Sequence, residues 1–416
     1  MDLDPETFIP GRHQLAAGES LAPDLTTYEM LHTLESQWPC LSCDILKDSL
    51  GSDRKSYPAT VYAVAGTQAA RGRDKENQLM VMKLSGLSRM ENDEEESDGE
   101  ESDDEEADPI LETKAIQLTS CTNRVRAFQR PQEQSSQPAR TFTASMLESG
   151  QCLIHDVTPH LNSFDNPGTT ITPQQNKPIY TVGAHRKTEG YAVDWSPHAQ
   201  NSQGRLLTGD VDGRIFLTTA NQASFNTDSA PFTGHQGTVE ELQWSPSERF
   251  VFASAGNDGY TRIWDTRSKS KKPALSVQVS STDVNVLSWS RNTDYLLASG
   301  HDDGSWAVWD LRSWKSPEAA AKPSAVASFT FHKQQITALE WHPTDDSIVL
   351  VAAGDDTMTL WDLAVELDDE ESRDTGGVRD VPPQLLFVHY MEQVKEGHWH
   401  PQIPGAIFAT GGSGFG

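Results

Sequence analysis

A recurring tryptophan and the strand pattern around it predict an all-β fold, a closed β-propeller of seven four-stranded blades. Trp195, Trp244, Trp289, Trp341 and Trp399 are spaced 45 to 58 residues apart, and each ends a short run of alternating apolar residues. Pro, Gly, Asn and Asp separate these runs, which is typical of short antiparallel strands joined by turns. One such sheet cannot bury both of its faces, so neighbours of the same kind are required.

The clearest unit is 234–265, which opens with Gly-His and closes with Trp-Asp, an ending that recurs at 309–310 and 361–362. A period of about 40–50 residues with these endings is typical of the WD repeat, one blade per repeat. Because a buried indole N–H and a buried imidazole need hydrogen-bond partners, we expect a structural tetrad in this blade. Its members are His235, Ser254, Asp258 and Trp264.

For three other blades the sequence predicts incomplete tetrads. The 185–218 blade lacks the tryptophan, the 283–310 blade lacks the histidine, and the 332–362 blade lacks the hydroxyl. The members that remain are, in that order, His185, Thr208 and Asp212; Ser299, Asp303 and Trp309; and His332, Asp355 and Trp361. This structural explanation of the histidines leaves few candidates for catalysis.

Composition narrows the class of partner. The 416 residues carry a net charge of −28, with a sequence pI near 4.7. Direct DNA or RNA binding is disfavoured, because its affinity comes from neutralising phosphates, whereas a basic protein partner is favoured. No apolar run is long enough to span a membrane, and no signal-peptide core is present. Cys40 and Cys43 form a lone C-x-x-C in a strand-like run, which favours buried thiols over redox chemistry or a metal, so we expect no cofactor.

The N-terminal part falls into two segments. Residues 1–36 read as an extended arm followed by a helix over 24–36, which either lies against the side of the propeller or forms one wall of a groove for a partner helix. Residues 37–90 contain three strand-like runs without the repeat signature. We expect them to complete or close the ring, since an open propeller would expose sheet edges.

Residues 91–108 hold 13 carboxylates in 18 positions and no basic residue, so we expect a disordered acidic loop. The loop is either a solvating tether or a contact for a Lys/Arg-rich partner. Ser97 and Ser102 in it are candidate phosphorylation sites. The candidate partner-binding residues of the loop are Glu94, Glu95, Glu96, Asp98, Glu100, Glu101, Asp103, Asp104, Glu105 and Glu106.

Residues 109–416 are predicted to form the repeat blades. Six repeats and the N-terminal strand set together make seven. The last repeat passes Trp399 and stops before its third strand, so we expect a truncated last blade.

Propellers usually bind partners through the loops that enter the first strand of each blade. Counting back from each first-strand tryptophan places several polar residues near that rim, and the turns between second and third strands add two more. Each of them alone fits an ordinary solvated loop residue equally well, but the set contains more acidic residues than basic ones. The candidates are Glu189, Tyr191, Glu240, Asn257, Asp283, Asn285 and Asp302.

The motifs PCLSCDIL, YPATVYAVAGTQA, GYAVDWSP, VEELQWSP, VFASAGNDG, LLASGHDDG and HWHPQIPG together resemble the glutamate-rich WD-repeat family, from about residue 38 onwards. This resemblance implies a nuclear and nucleolar assembly chaperone of large-subunit ribosomal protein 3, with cytoplasmic capture of the new protein and delivery to the pre-60S particle. Family members are related to the retinoblastoma-binding histone-chaperone propellers, with which they share the W-P-x-L-S run found here at 38–42. A monomer is expected.

Three rival functions are open. A histone chaperone is suggested by the related propellers. A substrate receptor of a cullin ubiquitin ligase is suggested by two W-D-x-R runs, at 264–267 and 309–312, although such runs are also common strand endings. An enzyme is disfavoured, because the sequence has no nucleophile elbow, Walker loop or metal-ligand cluster.

Overall fold

The computed structural model describes residues 23–90, 108–129, 139–198, 204–221, 224–314, 324–365 and 381–416. Within them, seven separate antiparallel sheets follow one another along the chain, which confirms the seven-bladed propeller. The innermost strands of successive blades contact one another, and the last contacts the first, so the ring is closed.

The strands are assigned to blades in chain order. Blade 1 has β2 Cys40–Leu46, β3 Ala59–Thr67, β4 Gln78–Leu87 and β5 Ile110–Gln117; blade 2 has β6 Thr122–Gln129, β7 Thr141–Leu147, β8 Cys152–Asp156 and β9 Tyr180–Val182. Blade 3 has β10 Val193–Trp195, β11 Arg205–Gly209, β12 Arg214–Ala220, β13 Phe225–Thr227 and β14 Phe232–Thr233; blade 4 has β15 Val239–Trp244, β16 Val251–Gly256, β17 Tyr260–Asp265 and β18 Leu275–Gln278. Blade 5 has β19 Val284–Trp289, β20 Leu296–His301, β21 Trp306–Asp310 and β22 Ala327–Phe329; blade 6 has β23 Ile336–Trp341, β24 Ile348–Ala353, β25 Thr357–Asp362 and β26 Leu385–Tyr390. Blade 7 has β27 Glu396–Trp399, β28 Ile407–Thr410, β29 Gly414–Phe415 and, as its outermost strand, β1 Leu34–Glu35.

Helix is scarce in the described ranges. One α-helix, α1 Thr158–Asp165, follows blade 2's third strand, and three short 3-10 turns cover Leu25–Thr27, Asp74–Glu76 and Leu311–Ser313. None of the described helices has the length and apolar character needed to cross a bilayer.

The helix predicted over 24–36 is wrong. After the turn Leu25–Thr27 the chain is extended and ends in β1. Tyr28, Met30, Leu31 and Leu34 are all partly buried, so burial alone does not separate a helix from an extended chain, and the backbone ending in β1 decides the assignment. The apolar residues that suggested a helical stripe therefore serve a strand-like segment whose contacts with the blades outweigh its local helix propensity.

The three N-terminal runs form blade 1 together with β5. The ring is closed by β1, where Leu34 pairs with Phe415 and Glu35 pairs with Gly414. Blade 7 therefore does have a third strand, β29, although it is only two residues long. A cluster of buried apolar side chains that includes Cys40, Phe408 and Phe415 packs blade 7 against blade 1, and six similar clusters fill the other junctions between blades.

In blade 4 the tetrad residues form one continuous chain of hydrogen bonds. The Nδ1 of His235 lies 3.1 Å from Asp258 Oδ1, and its Nε2 lies 2.6 Å from Ser254 Oγ. Trp264 Nε1 donates to the same serine hydroxyl at 2.8 Å. Buried polar atoms thereby tie the entering loop to the second and third strands of the blade.

The structure corrects the predicted acid of blade 3. His185 contacts Asp210 through Nδ1 at 2.8 Å and Thr208 through Nε2 at 2.7 Å. Asp210 is fully buried and also accepts the backbone N–H of Arg214 at 3.0 Å, whereas the side chain of Asp212 is 58% exposed. Asp212 sits at the tip of the turn, two residues too late to reach the histidine.

Blades 5 and 6 obtain their missing members from other strand positions. In blade 5, His301 takes the histidine position, with Nε2 2.9 Å from Ser299 Oγ, to which Trp309 also donates at 2.8 Å. In blade 6, Thr359 supplies the hydroxyl, which lies 3.0 Å from His332 Nε2 and accepts Trp361 Nε1 at 2.8 Å. Both blades therefore have the hydrogen bonds of the tetrad, although the histidine of blade 5 and the hydroxyl of blade 6 come from different strand positions than in blade 4.

A girdle of hydrogen bonds joins the innermost strands around the ring. In most junctions a polar side chain of one blade accepts a backbone N–H of the next blade, and between blades 2 and 3 the indole of Trp195 donates to the carbonyl of Arg126 at 3.1 Å. The acceptors and their donors are Asp44 and Ala127 (2.7 Å), Asp194 and Trp244 (2.6 Å), Gln243 and Trp289 (2.5 Å), Ser288 and Trp341 (3.0 Å), Glu340 and Trp399 (3.3 Å), and Glu396 and Cys43 (2.9 Å).

Charged side chains meet at the seam between blades 7, 1 and 2. The Glu396 carboxylate is 2.5 Å from Arg124 Nη1 and 3.2 Å from Arg126 Nη2, and it is almost completely buried. Burial alone would raise the pKa of Glu396, but the two guanidinium groups hold it well below its ordinary value. Elsewhere on the girdle burial dominates and raises the pKa of Asp194 to about 8, so this carboxyl binds a proton at neutral pH.

We expect Asp210→Asn to destabilise the protein by about 2 kcal/mol, because it disrupts the buried contacts with His185 and Arg214. Asp212→Asn is the matched control and should change the free energy of unfolding by less than about 0.5 kcal/mol. Despite burial, the hydrogen bonds from His185 and Arg214 lower the pKa of Asp210, so its contribution is present above the unfolded-state pKa and is lost as pH falls. Urea unfolding at neutral and acidic pH measures both effects, and equal losses for the two variants would contradict this assignment.

Glu396→Gln should cost about 3–5 kcal/mol, because it removes the buried carboxylate that Arg124 and Arg126 share, and only Arg124 keeps a second partner, Glu241 at 3.2 Å. Glu112→Gln is the control: Glu112 forms an exposed pair with Lys83 at 4.0 Å, so its loss should be nearly neutral. Thermal and urea unfolding of both variants test this expectation. A Glu396→Gln protein as stable as the Glu112→Gln protein would show that the seam charges do not hold the ring closed.

Candidate functional site

One rim of the ring is formed where the innermost strands begin. In blade 4 the register pairs Val239 with Gly256, and a β-bulge follows between Val239 and Glu241; blade 5 has a bulge at the same place. A bulge redirects the extra side chain out of the regular sheet. The bulged residues are Glu240 and Asn285, two of the predicted rim residues.

Three of the predicted carboxylates lie together on blades 4 and 5. Burial and the charge of Asp283 raise the pKa of Glu240 to about 7, and burial and the charge of Asp302 raise the pKa of Asp283. In the parts of the chain that the structure describes, none of the three forms a salt bridge within 4.0 Å. Burial is the larger cause of both shifts, the neighbouring carboxylates add to it, and the charge of Arg124 offsets part of the shift of Glu240.

Glu189 and Tyr191 form a second group on the rim, on blade 3. Glu189 Oε1 accepts the Tyr191 hydroxyl at 3.1 Å and the Asn123 amide of blade 2 at 2.8 Å. Asn123 is a bulged residue equivalent to Glu240, and it was not among the predicted residues. Blade 2 has Ala127 where other blades carry the first-strand tryptophan, so no marker was available from which to count back.

The remaining predicted residues have partners within the protein. Asn257 lies on the turn between β16 and β17 and its N–H donates to the carbonyl of Thr238 at 3.1 Å. The Asn285 amide donates to Asp302 Oδ1 at 3.4 Å. We call the surface formed by Glu189, Glu240, Asp283 and Asp302 the acidic sector. It spans blades 3 to 5. In blades 6 and 7, counting back equally from Trp341 and Trp399 gives Gln335, Thr337, Gln393 and Lys395, none of which is acidic.

The acidic loop residues, from Glu94 to Glu106, fall between positions 90 and 108 and lie outside the described residues. The loop leaves blade 1 after β4 and returns as β5, whose first residue is Ile110. Its role stays a prediction from composition.

Cys43, Glu396 and His398 bring three potential metal-ligand atoms within 4.8 Å of one another. Burial raises the pKa of the Cys43 thiol. Although burial opposes it, hydrogen bonds with Cys43, Glu340 and Glu396 raise the pKa of His398 well above its usual range. Metal ligation needs a thiolate and a neutral imidazole, and Arg126 already occupies the carboxylate. These side chains therefore fit a proton-holding network better than a metal ion.

The two W-D-x-R runs end at the opposite end of the blades from the acidic sector. Arg267 pairs with Asp265 at 2.6 Å and Arg312 pairs with Asp310 at 2.7 Å. Both arginines are more than 60% exposed, at 62% and 65%. Each motif therefore has a structural use, and each presents a cation on the same face of neighbouring blades.

Two family models match the chain. One, which describes histone-binding protein RBBP4 or the corresponding component of the CAF1 complex, matches residues 18–88. The WD domain, G-beta repeat model matches residues 227–265, 272–310 and 323–362, which correspond to blades 4, 5 and 6.

Several curated proteins are similar over nearly the whole chain. Ribosome assembly protein rrb1 of Schizosaccharomyces pombe is 49% identical over 411 residues, covering 98% of this chain and 83% of the relative. Protein HEAT STRESS TOLERANT DWD 1 of Arabidopsis thaliana is 41% identical over 438 residues, covering 98% and 89%. Glutamate-rich WD repeat-containing protein 1 of Dictyostelium discoideum is 41% identical over 422 residues, covering 97% and 83%. The chain therefore belongs to the glutamate-rich WD-repeat family that these relatives represent.

Proposed function

We propose that this protein is a non-enzymatic chaperone in ribosome assembly, dedicated to newly made large-subunit ribosomal protein 3. In this proposal it binds and shields that basic protein and delivers it to the pre-60S particle. The observation that carries the proposal is the acidic sector, whose carboxylates have no salt-bridge partner among the described residues. The similarity to a relative named for ribosome assembly supports the same process.

The charge of the molecule suits this task. A net charge of −28 attracts a basic protein over long range, and the carboxylates of the acidic sector, which form no salt bridge within the described residues, supply short-range contacts. The acidic loop at 91–108 adds further negative charge in the proposal. Ribosomal RNA has a higher density of phosphates, so it can take over the basic partner when the particle is reached.

The proposed role requires no catalysis and no cofactor. The buried histidines of blades 3 to 6 are engaged in the tetrads of blades 4 to 6 and in the three-residue chain of blade 3, which gives them a structural purpose. We place the protein in the nucleus and nucleolus, with capture of the newly made partner in the cytoplasm, and we expect it to act as a monomer. These statements rest on the proposed partner and on the related proteins.

Two alternatives have observations in their favour. The family model matched at 18–88 includes histone-binding proteins, so a histone is the first competing partner. The exposed Arg267 and Arg312 suit docking to a ubiquitin-ligase adaptor, the second alternative. Purified histones H3 and H4 and a cullin adaptor should therefore be compared with ribosomal protein 3 in the same binding experiment.

We expect the triple variant Glu240→Gln, Asp283→Asn, Asp302→Asn to bind purified ribosomal protein 3 about tenfold to hundredfold more weakly at pH 8, because it removes three carboxylates that form no salt bridge within the described residues. The control variant Glu112→Gln, Glu248→Gln, Asp346→Asn changes net charge equally on exposed residues outside the acidic sector. It should change affinity by less than about threefold. Isothermal titration at low and high salt measures both.

Deletion of 91–108 is a separate arm of that titration. Loss of affinity at about 100 mM salt that shrinks at about 500 mM would assign a screened electrostatic contact to the loop. Unchanged affinity would make the loop a tether. Equal binding by both triple variants, or stoichiometric binding of histones without ribosomal protein 3, would contradict the proposal.

The affinity for ribosomal protein 3 should rise as pH increases from about 6 to about 8. Burial and the charge of Asp283 raise the pKa of Glu240 to about 7, so its carboxyl loses a proton in this range and gains the negative charge that faces a cation. Glu240→Gln should remove most of the pH dependence and leave affinity at low pH nearly unchanged. A pH profile that is identical in wild type and variant would exclude Glu240 as the titrating group.

A further inference from the structure

We propose that the junction of blades 3 and 4 carries a second binding site, for a phosphorylated serine or threonine in an acidic segment of a partner protein. The phosphate would be held by Arg205 of blade 3 and by Arg249 and Arg267 of blade 4, which we call the arginine cluster. The cluster lies at the end of the blades opposite the acidic sector. The inference therefore goes beyond the proposed function and does not depend on it.

The first observation is the convergence of three guanidinium groups on one aromatic ring. In chain order, the Cζ atoms of the arginine cluster lie 5.5, 5.0 and 5.1 Å from the centroid of the Phe250 ring. The ring attracts each cation, but charges of the same sign repel one another. Burial and then the charge of Arg249 lower the pKa of Arg205. An anion bound among the three arginines would offset this repulsion, so the arrangement favours an anionic ligand.

Blade 5 shows that the repeat itself does not require such a cluster. Tyr295 directly precedes the second strand of blade 5, as Phe250 does in blade 4, and the two carbonyls accept the N–H of Leu311 and of Thr266, both at 2.9 Å. Arg312 lies over the Tyr295 ring, with Cζ 3.6 Å from its centroid, and no second cation lies over that ring within the described ranges. One stacked arginine is thus common to both blades, whereas the other two of the cluster are additions.

The protein holds the cluster in place. The Cζ atom of Arg205 lies 4.5 Å from the centroid of the Trp244 ring. The Nη2 of Arg205 donates to Ser196 Oγ at 3.2 Å and to the backbone carbonyl of Arg249. The hydrogen bond from Thr266 to the carbonyl of Phe250 fixes the ring beside the end of the third strand. Because the site is formed before a ligand arrives, little entropy is lost on binding.

The protein supplies fewer carboxylates than cations around the cluster. Asp265 pairs with Arg267 at 2.6 Å, and Glu248 is exposed on the turn that carries Arg249. Arg205 forms no salt bridge within 4.0 Å among the residues that the structure describes. The exposed Lys269 and Lys272 follow in the next turn and can meet acidic residues on either side of the phosphate. The surface is therefore locally basic on a chain whose net charge is −28.

The shape of the cluster selects among anionic ligands. Arginine forks bind phosphate through paired hydrogen bonds, and groups of arginines are a recurring means of recognising phosphorylated residues. A nucleic-acid strand instead needs cations that follow its backbone over several nucleotides. The three arginines converge on one ring, and the net charge of −28 opposes a long polyanion. A single phosphate with two negative charges matches this geometry better than an RNA backbone does.

The test uses fluorescein-labelled Gly-Glu-Asp-pSer-Asp-Glu-Gly-NH2 and measures anisotropy with the full chain at about 100 mM salt. We expect saturable binding. Replacement of phosphoserine by serine, or by two glutamates that keep the net charge, should weaken binding at least about tenfold. Equal binding of the phosphorylated and the two-glutamate peptides would overturn the proposal, because it would show a response to charge alone.

Arg267 and Arg312 provide a matched pair of variants. Both are exposed, both pair with an aspartate and both lie over an aromatic ring, but only Arg267 belongs to the cluster. Arg267→Gln should weaken binding of the phosphopeptide at least about tenfold, whereas Arg312→Gln should bind within about threefold of wild type. Equal affinities of these two variants would contradict the assigned site.

A second position protects the test against a local structural effect at Arg267. Arg249→Gln should weaken binding to a similar extent, and Arg249→Lys, which keeps the charge but lacks the fork, should bind with intermediate affinity. Thermal unfolding like that of wild type is expected for every variant. No binding at about 1 mM phosphopeptide would overturn the proposal. Tighter binding of a twelve-nucleotide oligouridylate with the same arginine dependence would identify RNA as the ligand and would also overturn it.

The acidic-sector triple variant separates this proposal from the proposed function. It should bind the phosphopeptide within about threefold of wild type while losing ribosomal protein 3. Arg267→Gln should show the opposite pattern, with ribosomal protein 3 bound as in wild type. Either proposal can therefore fail in this experiment while the other stands.

Discussion

The ring depends on the hydrogen-bond girdle formed by its innermost strands. At most junctions one polar side chain accepts a backbone N–H from the neighbouring blade, so the spacing between blades is fixed by bonds of defined length as well as by apolar packing. The apolar clusters between blades supply most of the driving force, but burial is not directional. The hydrogen bonds of the girdle are directional, so they fix how each blade is oriented. A blade that rotated or slipped would leave buried polar groups without partners.

The seam where the ring closes carries a concentration of charge. Glu396 belongs to blade 7, contacts two arginines of blade 2 and accepts the N–H of Cys43 in blade 1. One carboxylate thus joins three blades. Such a group stabilises the closed ring only while all of its partners are present, because the loss of any one leaves charge buried in a medium of low dielectric constant. The same carboxylate lies 3.3 Å from His398 Nε2, so it also ties that imidazole into the seam.

The fold was predictable from the sequence because its signals repeat. Most blades show the same alternation of apolar and polar residues and the same turn residues. A weak signal in one blade therefore does not change the prediction for the whole fold. The predictions that failed concern single members of the tetrads, for which the identity of one residue decides the outcome. Asp210 and Asp212 are chemically equal and stand two positions apart, and only the turn geometry shows which one reaches His185. His301 and Thr359 replace expected residues from different strand positions, which no fixed spacing could reveal.

The helix predicted over 24–36 was wrong for a related reason, since the apolar residues between 28 and 34 fit both a helical stripe and an extended chain. The acidic sector was found because the first-strand tryptophans mark where each inner strand begins. Asn123 was missed where that marker is replaced by Ala127. The raised pKa of Glu240 was beyond prediction, because it comes from the burial of a bulged residue and from carboxylates that another blade contributes.

The pairing of β1 with β29 has a consequence for biogenesis. Leu34 and Phe415 are separated by 381 residues (415 − 34), so the contact that closes the circle joins segments that are synthesised far apart in time. Blades 2 to 6 draw all their strands from nearby sequence and can form as they emerge from the ribosome, whereas the N-terminal strand must wait for blade 7. Bringing such distant segments together carries a loop-closure cost that grows with the logarithm of their separation. The acidic sector, which lies on blades 3 to 5, can therefore be assembled on the nascent chain before the circle itself is complete.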